Sequence, residues 1–230
     1  MKKIITDLAL LSERADEIFD IRKNSKEVQQ ITIELKEVLR TNPTLTALSA
    51  PQIGYKKRVF VINFKGDLRT FVNPVINYSM VKGMGLSIEE CPSIPGKKFL
   101  MIRNQEVPVM YQTPIGQISN CTLNGASAYV FQRMMNNLDG VLLSDMGLEI
   151  NDDFINASEE EKAPIIQKYL EALDLKLKAI QEDISKSEDL TQIKEAGEFM
   201  ESVQKGETVV NVTQEPIPEI KPKRGRKKIE

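Results

Sequence analysis

Four short, β-rich runs between residues 58 and 112 constrain the fold of this chain more than any other feature. Gly, Asn, Asp and Pro separate them, a pattern typical of strands joined by turns. We therefore predict a mixed or antiparallel sheet. Its expected strands are RVFVINF (58–64), RTFVNPVI (69–76), FLMIR (99–103) and VPVMYQ (107–112).

Helical patterns flank these strands. The segment that begins at Ser25 carries apolar residues at mixed spacing, has Ser25 as a candidate N-cap, and meets a stop signal at Asn42 and Pro43. Residues 126–137 place apolar side chains at helical spacing before an Asp-Gly turn. The order helix, strands, helix predicts an α+β fold.

Composition divides the 230-residue chain into three regions. We predict a folded domain over residues 1–150, an acidic helical extension over 151–205, and a proline-spaced, disordered basic tail over 206–230. No apolar run approaches the roughly 18 residues that cross a bilayer, and the N-terminus turns acidic too early for a secretory signal. We therefore expect a cytoplasmic protein without membrane contact, with Cys91 and Cys121 reduced.

The chain contains no histidine. Imidazole is the side chain whose ordinary pKa lies near neutral pH, and it is a common ligand of zinc and iron. The chain therefore lacks both an ordinary general base poised near neutrality and a nitrogen ligand for these metals.

Three segments, taken together, resemble the peptide deformylase family, the metalloenzymes that remove the formyl group from the N-terminal methionine of nascent proteins. They are LTALSAPQIGYKKRVFVI (45–62), EECPSIPG (89–96) and FQRMMNNLDGVLLSD (131–145). They are similar to the family's Pro-Gln-Ile-Gly run, its cysteine-ligand loop and its metal-binding helix. The resemblance covers about residues 1–150 and implies a mixed or antiparallel sheet around a central helix. It concerns ancestry and fold, so activity has to be argued at the site.

The resemblance implies a metal held by one cysteine and two histidines, with a glutamate between the histidines as acid and base. Here Cys91 stands at the cysteine position, Arg133 and Asn137 at the histidine positions, and Met134 at the glutamate position. A guanidinium has no free lone pair for a metal, and a thioether exchanges no proton. We therefore expect no metal and no other cofactor, with Cys91 the single retained ligand-type residue.

The groups around the reacting carbonyl are partly retained. By the resemblance, Gln52 matches the glutamine that hydrogen-bonds the formyl oxygen, whereas Pro92 lacks the backbone N–H of the family's leucine. Leu45, Ala47 and Glu90 replace glycines around the substrate cleft. We expect their side chains to fill part of that cleft.

These changes lead us to interpret the chain as a pseudoenzyme, not an enzyme, that serves as a binding or structural module. Such reuse of a fold is typical of a phage or other mobile genome. We therefore expect the protein to be incorporated into a viral particle or another large assembly. We expect no catalysis from the family positions, which are Gln52, Cys91, Arg133, Met134 and Asn137. The alternatives are an unusual hydrolysis that uses Cys91, Gln52 and Glu89, and a nucleic-acid-associated role of the basic tail.

Arg133 has two interpretations. Its charge replaces the metal, either activating the Cys91 thiol or binding a carboxylate. Alternatively, it closes the vacated cavity by pairing with Glu89 or Glu90. Cys121 is most simply a small buried hydrophobe.

The extension contains apolar residues at alternating spacings of four and three, a stripe of about two and a half heptads. It predicts a helix over residues 163–184 that packs on its own domain, or docks on a protein partner or a second copy. Ser158 with Glu161 is a capping-box candidate, but Pro164 more naturally opens a helix at Ala163. The expected contacts are Ile166, Leu170, Leu173, Leu177, Ile180 and Ile184.

The tail concentrates positive charge. Residues 217–230 carry six Lys or Arg against two Glu, so their net charge is +4 and that of the preceding residues is −6. The run KRGRKK resembles a minor-groove arm of the AT-hook kind, or a tail that binds any polyanion. Nonspecific nucleic-acid binding is one hypothesis and a solvated or docking tail is the other. The expected polyanion contacts are Lys221, Lys223, Arg224, Arg226, Lys227 and Lys228.

Overall fold

The computed structural model describes residues 2–186, without the side chains of Leu177, Ile180 and residues 181–186. Within that range, seven strands form one sheet and pair antiparallel. Their order is β1-β2-β3-β5-β4, with β6 and β7 also paired to β5. The strands are β1 (Ala47–Ser49), β2 (Val59–Phe64), β3 (Asp67–Ile76), β4 (Lys82–Cys91), β5 (Ile94–Gln112), β6 (Ile118–Asn124) and β7 (Leu148–Ile150).

Strand β5 corrects the prediction of two separate strands at 99–103 and 107–112. It runs without a break for 19 residues and is the common partner of β3, β4, β6 and β7. Pro108 does not interrupt it, because proline removes a donor but leaves its carbonyl, which accepts a hydrogen bond from the backbone N–H of Asn77 at 3.0 Å.

The helices are α1 (Leu8–Leu11), α2 (Ser25–Thr41), α3 (Ala126–Leu138), α4 (Leu143–Met146), α5 (Asp152–Asn156) and α6 (Glu159–Lys186). The predicted helices near 25–41 and 126–137 are both confirmed. Ser25 is the first helical residue and Asn24 the N-cap, so the predicted cap is wrong by one position. None of these helices is both long and apolar enough to cross a membrane.

The start of α6 also differs from the prediction. The helix begins at Glu159 rather than Ala163, with Pro164 inside it. The backbone N–H of Ser158 donates to Glu161 Oε2 at 2.9 Å, and the backbone N–H of Glu161 donates to Ser158 Oγ at 3.3 Å. This reciprocal capping box satisfies backbone N–H donors at the start of the helix. The side chain of Pro164 has no polar atom that could do the same.

Strand β2 is buried on both faces because a helix packs on each side of the sheet. Val59 and Val61 belong to a hydrophobic core with α2, whereas Phe60 and Ile62 belong to a second core with α3. Successive strand residues point to opposite faces, so a continuous apolar run supplies both cores. The prediction of a sheet packed around a central helix is confirmed by α3.

The chain divides into two compact units, one up to Leu170 and one from Glu171. In the first unit, Tyr169 is buried and donates its hydroxyl to the backbone oxygen of Met146 at 2.9 Å.

The boundaries at residues 150 and 205 stay predictions. The tail, including Lys221, Lys223, Arg224, Arg226, Lys227 and Lys228, lies outside the described residues.

Candidate functional site

A cleft of about 480 Å³ opens between the start of β1, the end of β4 and helix α3. Its volume is within the roughly 300–1,000 Å³ of typical small-ligand sites. Leu45, Ala47 and Glu90, the residues at the former glycine positions, all line it. The other lining residues that matter below are Thr46, Ile88, Glu89, Cys91, Ile94, Lys97, Tyr129, Val130 and Arg133.

Arg133 reaches the cleft from α3 and is 9% exposed. Its Nη1 donates to the backbone oxygen of Glu90 at 2.8 Å, and its Nη2 donates to Thr46 Oγ1 at 3.2 Å. Its Nε is buried without a hydrogen-bond partner. Burial lowers the pKa of the Arg133 guanidinium from its ordinary value, and the nearby charge of Glu89 opposes that shift.

The predicted pairing of Arg133 with the carboxylate of Glu89 or Glu90 is wrong. Both oxygens of Glu89 accept hydrogen bonds from Arg103, at 2.7 Å from Nε and 3.0 Å from Nη2. Glu90 offers Arg133 its backbone oxygen only, since its side chain is exposed. Among residues 2–186, Arg133 is therefore a buried cation without a salt bridge.

Gln52 and Cys91 lie together beneath the cleft, as the sequence implied. The turn Pro51–Ile53 holds Gln52, which is 1% exposed. Its Oε1 accepts from the backbone N–H and the hydroxyl of Ser49, at 3.0 Å and 3.1 Å. Its Nε2 donates to Ser93 Oγ at 3.1 Å and contacts Cys91 Sγ at 3.5 Å. The Gln52 amide is thus fully used inside the protein.

Asn137 lies one helical turn after Arg133, on the same side of α3. It is 8% exposed, and its Nδ2 is buried without a hydrogen-bond partner. With Gln52, Cys91 and Ser93 it lines a small internal cavity of about 10 Å³. Cys91 also lines the large cleft, so the two spaces lie on either side of this residue.

Met134 and Cys121 do not join this site. Met134 is 1% exposed and packs in the hydrophobic core beneath α3. Cys121 is half-buried on β6, so the prediction of a buried residue is wrong. Partial burial raises the pKa of the Cys121 thiol, and the charge of Arg69 opposes that shift.

The donors present do not fit a metal ion. Within residues 2–186, no group of three or more Cys, Asp or Glu side chains lies close enough to hold one. A buried guanidinium beside Cys91 has no lone pair to offer and carries the charge of a cation itself. The metal that the resemblance implies therefore has no ligand set at these positions.

The predicted contact stripe on α6 is only partly described. Ile166 and Leu173 are half-buried, and Leu170 is exposed. The side chains of Leu177, Ile180 and Ile184 lie outside the described residues. A partner on this stripe stays a prediction.

Sequence reasoning missed the role of Arg103, which orders the wall of the cleft by fixing Glu89. The register pairs Gly85 with Arg103 and Glu89 with Phe99, so Glu89 and Arg103 are not directly opposite one another across β4 and β5. The sequence pattern that could have indicated this ion pair is an acidic residue on β4 and a basic residue on the neighbouring strand β5. It was not available because β4 was not predicted as a strand.

The antiparallel sheet, the central helix α3 and the cleft beside Cys91 define a deformylase-like α+β protein. The chain belongs to the polypeptide deformylase family, whose sequence pattern matches residues 1–151. This confirms the resemblance drawn from the three motifs.

The relatives agree in name and in fold. Peptide deformylase of Symbiobacterium thermophilum is 29% identical over an alignment of 156 residues, and the match covers 64% of this chain and 71% of that protein. A probable peptide deformylase from Synechococcus phage S-SSM7 is 27% identical, with a TM-score of 0.56 over 63% of this chain and 99% of that one. A Met-Ala-Ser-bound peptide deformylase from Acinetobacter baumannii has a TM-score of 0.57 at 22% identity, over 63% and 97% of the chains.

The prediction that the chain is not an enzyme is wrong. The matching family and the relatives are named peptide deformylases, which are enzymes, and none of these comparisons marks an inactive member. The departures at Arg133, Met134 and Asn137 are features of this site within an enzyme family.

Proposed function

We propose that this chain binds an extended peptide in the cleft beside Cys91. The observation that carries the proposal is the position of β4. It stands at the end of the strand order, and its last residues form one wall of the cleft. An edge strand offers unpaired backbone groups to which an extended peptide can add as a further strand.

The other walls supply apolar contacts for peptide side chains. Leu45, Ile88, Ile94 and Val130 line the cleft, and Ile88 is 51% exposed at its rim. Alternate residues of a bound strand point to the same side, so a peptide on β4 would direct every second side chain at these residues. The Met-Ala-Ser peptide of the Acinetobacter relative supports this class of ligand and gives a probe of suitable size.

The test is isothermal titration of the full chain with formyl-Met-Ala-Ser and with Met-Ala-Ser. Formate is measured in the same samples, so that hydrolysis is recorded alongside binding. We expect saturable binding of at least one peptide. Ile88→Asp should weaken that binding about tenfold or more, because it places a charge at an apolar contact.

Met84→Asp is the matched control. Met84 and Ile88 lie on the same face of β4 and both are exposed, but only Ile88 lines the cleft. Equal effects of the two substitutions, or no binding of either peptide, would contradict the proposal.

A further inference from the structure

Arg133 brings a positive charge to the cleft, and within residues 2–186 no carboxylate forms a salt bridge with it. Four charged side chains line the cleft. Glu89 is paired with Arg103, Lys97 is paired with Glu149 at 2.8 Å, and Glu90 is exposed to solvent. Arg133 is the buried one that has no salt bridge.

Burial makes this unpaired charge costly. A guanidinium has five N–H donors, and the hydrogen bonds of Arg133 come from one donor each of Nη1 and Nη2, to neutral oxygens. Its Nε–H has no partner at all. Buried charges are normally paired, so an anion bound at this position would offset the desolvation free energy of the Arg133 guanidinium.

A second donor lies beside the first. Asn137 follows Arg133 by four residues, and its Nδ2 is likewise buried without a partner. Residues at this spacing are neighbours on a helix surface. Arg133 lines the cleft and Asn137 lines the small cavity, and Cys91 is a lining residue of both. Two buried donors without acceptors, one of them charged, match the two oxygens of a carboxylate.

We propose that Arg133 and Asn137 form a carboxylate-binding site at the base of the cleft. A free amino terminus is cationic and would be repelled by Arg133, whereas a C-terminal carboxylate would pair with it. The end group that enters the cleft is then the C-terminal carboxylate of a peptide. This choice of ligand rests on the proposed function, and a small monocarboxylate is the other source of the same chemistry.

The test compares Met-Ala-Ser as a free acid and as a C-terminal amide, each with a formylated and a free N-terminus. We expect the acids to bind the full chain about tenfold or more tightly than the amides, whatever the N-terminus. Arg133→Met should abolish this preference, since it keeps a similar volume without the charge. Arg133→Lys should retain part of it, since it keeps the charge without the planar fork.

Asn137→Asp tests the site from inside the protein. The new carboxylate lies next to Arg133 on the helix and should pair with it, so that it competes with the ligand and abolishes the acid preference. Circular dichroism establishes that each variant is folded. An acid preference that survives in both Arg133→Met and Asn137→Asp would overturn the carboxylate site.

Sodium acetate, compared with sodium chloride at equal ionic strength, separates the two sources. Acetate that raises the melting temperature of the native chain but not of Arg133→Met, without any peptide binding, would support the site and overturn the peptide. Equal binding of acids and amides with no acetate effect would overturn the site and leave the proposed peptide binding standing. If neither acetate nor any peptide binds, the carboxylate site and the proposed peptide binding are both overturned.

Discussion

Arg103 and Glu89 form a two-pronged ion pair in which both side chains are 5% exposed. The pair joins β5 to β4, and the remaining Arg103 nitrogen, Nη1, donates to Asn136 Oδ1 on α3. It thereby ties together two of the elements that wall the cleft. The same pair directs both oxygens of Glu89 at Arg103, and Arg133 makes no salt bridge within residues 2–186.

Glu89→Ala should lower the free energy of unfolding by about 3–5 kcal/mol, because it leaves the Arg103 charge buried and unpaired. Urea unfolding followed by circular dichroism measures the change. Asp67→Ala is the control, since the Arg69–Asp67 pair has the same 2.7 Å separation but is exposed. We expect that control to cost about 1 kcal/mol or less. Similar losses in the two variants would show that burial of the Glu89 pair is not decisive.

Gln52→Leu should destabilise the fold by about 1–3 kcal/mol, because buried donors lose their acceptor. The backbone N–H and the hydroxyl of Ser49 both donate to Gln52 Oε1, and the hydroxyl oxygen of Ser93 accepts a hydrogen bond from Gln52 Nε2. Gln30→Leu is the control, since the amide of Gln30 bonds Glu34 at the exposed face of α2. A Gln52→Leu protein as stable as the control would mean that water replaces the amide in this network.

The parts of the fold that the sequence predicted are those in which apolar residues are concentrated. Strand β2 and helices α2 and α3 follow directly from their apolar patterns, because each buries a continuous run or stripe. Strand β4 was missed since its Gly83 and Gly85, and its solvated face, weaken the alternation. The length of β5 was missed since the polar residues 104–106 were taken as a turn between two strands.

The site was predictable only in part. The resemblance brought Cys91, Gln52, Arg133 and Asn137 to one place, and the structure does place them around the cleft and the neighbouring small cavity. Their hydrogen-bond partners were not predictable, because a partner depends on strand register and rotamer rather than on residue type. The sequence offers Arg133 two adjacent glutamates, and only the fold shows that Arg103 has taken one of them.

Phe131→Ala should cost about 3–5 kcal/mol of unfolding free energy, the usual loss when a large aromatic leaves a packed core. The ring of Phe131 lies edge-on to those of Phe60 and Phe71, with centroids 5.1 Å and 5.3 Å apart. Thermal or urea unfolding measures the loss. Ile115→Ala, at a residue 64% exposed, should change stability by about 0.5 kcal/mol or less. A small Phe131 effect would mean that the core repacks to fill the space.

Glu161 should titrate below its ordinary pKa of 4.5, because the backbone N–H and the hydroxyl of Ser158 both donate to its carboxylate. A carboxyl group whose pKa is lower in the folded than in the unfolded chain stabilises the fold above its unfolded pKa. That contribution is lost as the pH falls through the folded value. Carbon-detected NMR titration of the Glu161 carboxyl measures the pKa directly.

Ser158→Ala provides the matched comparison for this titration. It removes the hydroxyl donor and keeps the backbone N–H, so the pKa of Glu161 should rise toward 4.5 without reaching it. Glu161→Gln should remove the acid-dependent part of the capping interaction, because a neutral amide does not titrate. If helix α6 instead began at Ala163, Ser158 and Glu161 would not cap it, and Ser158→Ala would leave the Glu161 titration unchanged. The NMR experiment therefore also decides where α6 starts.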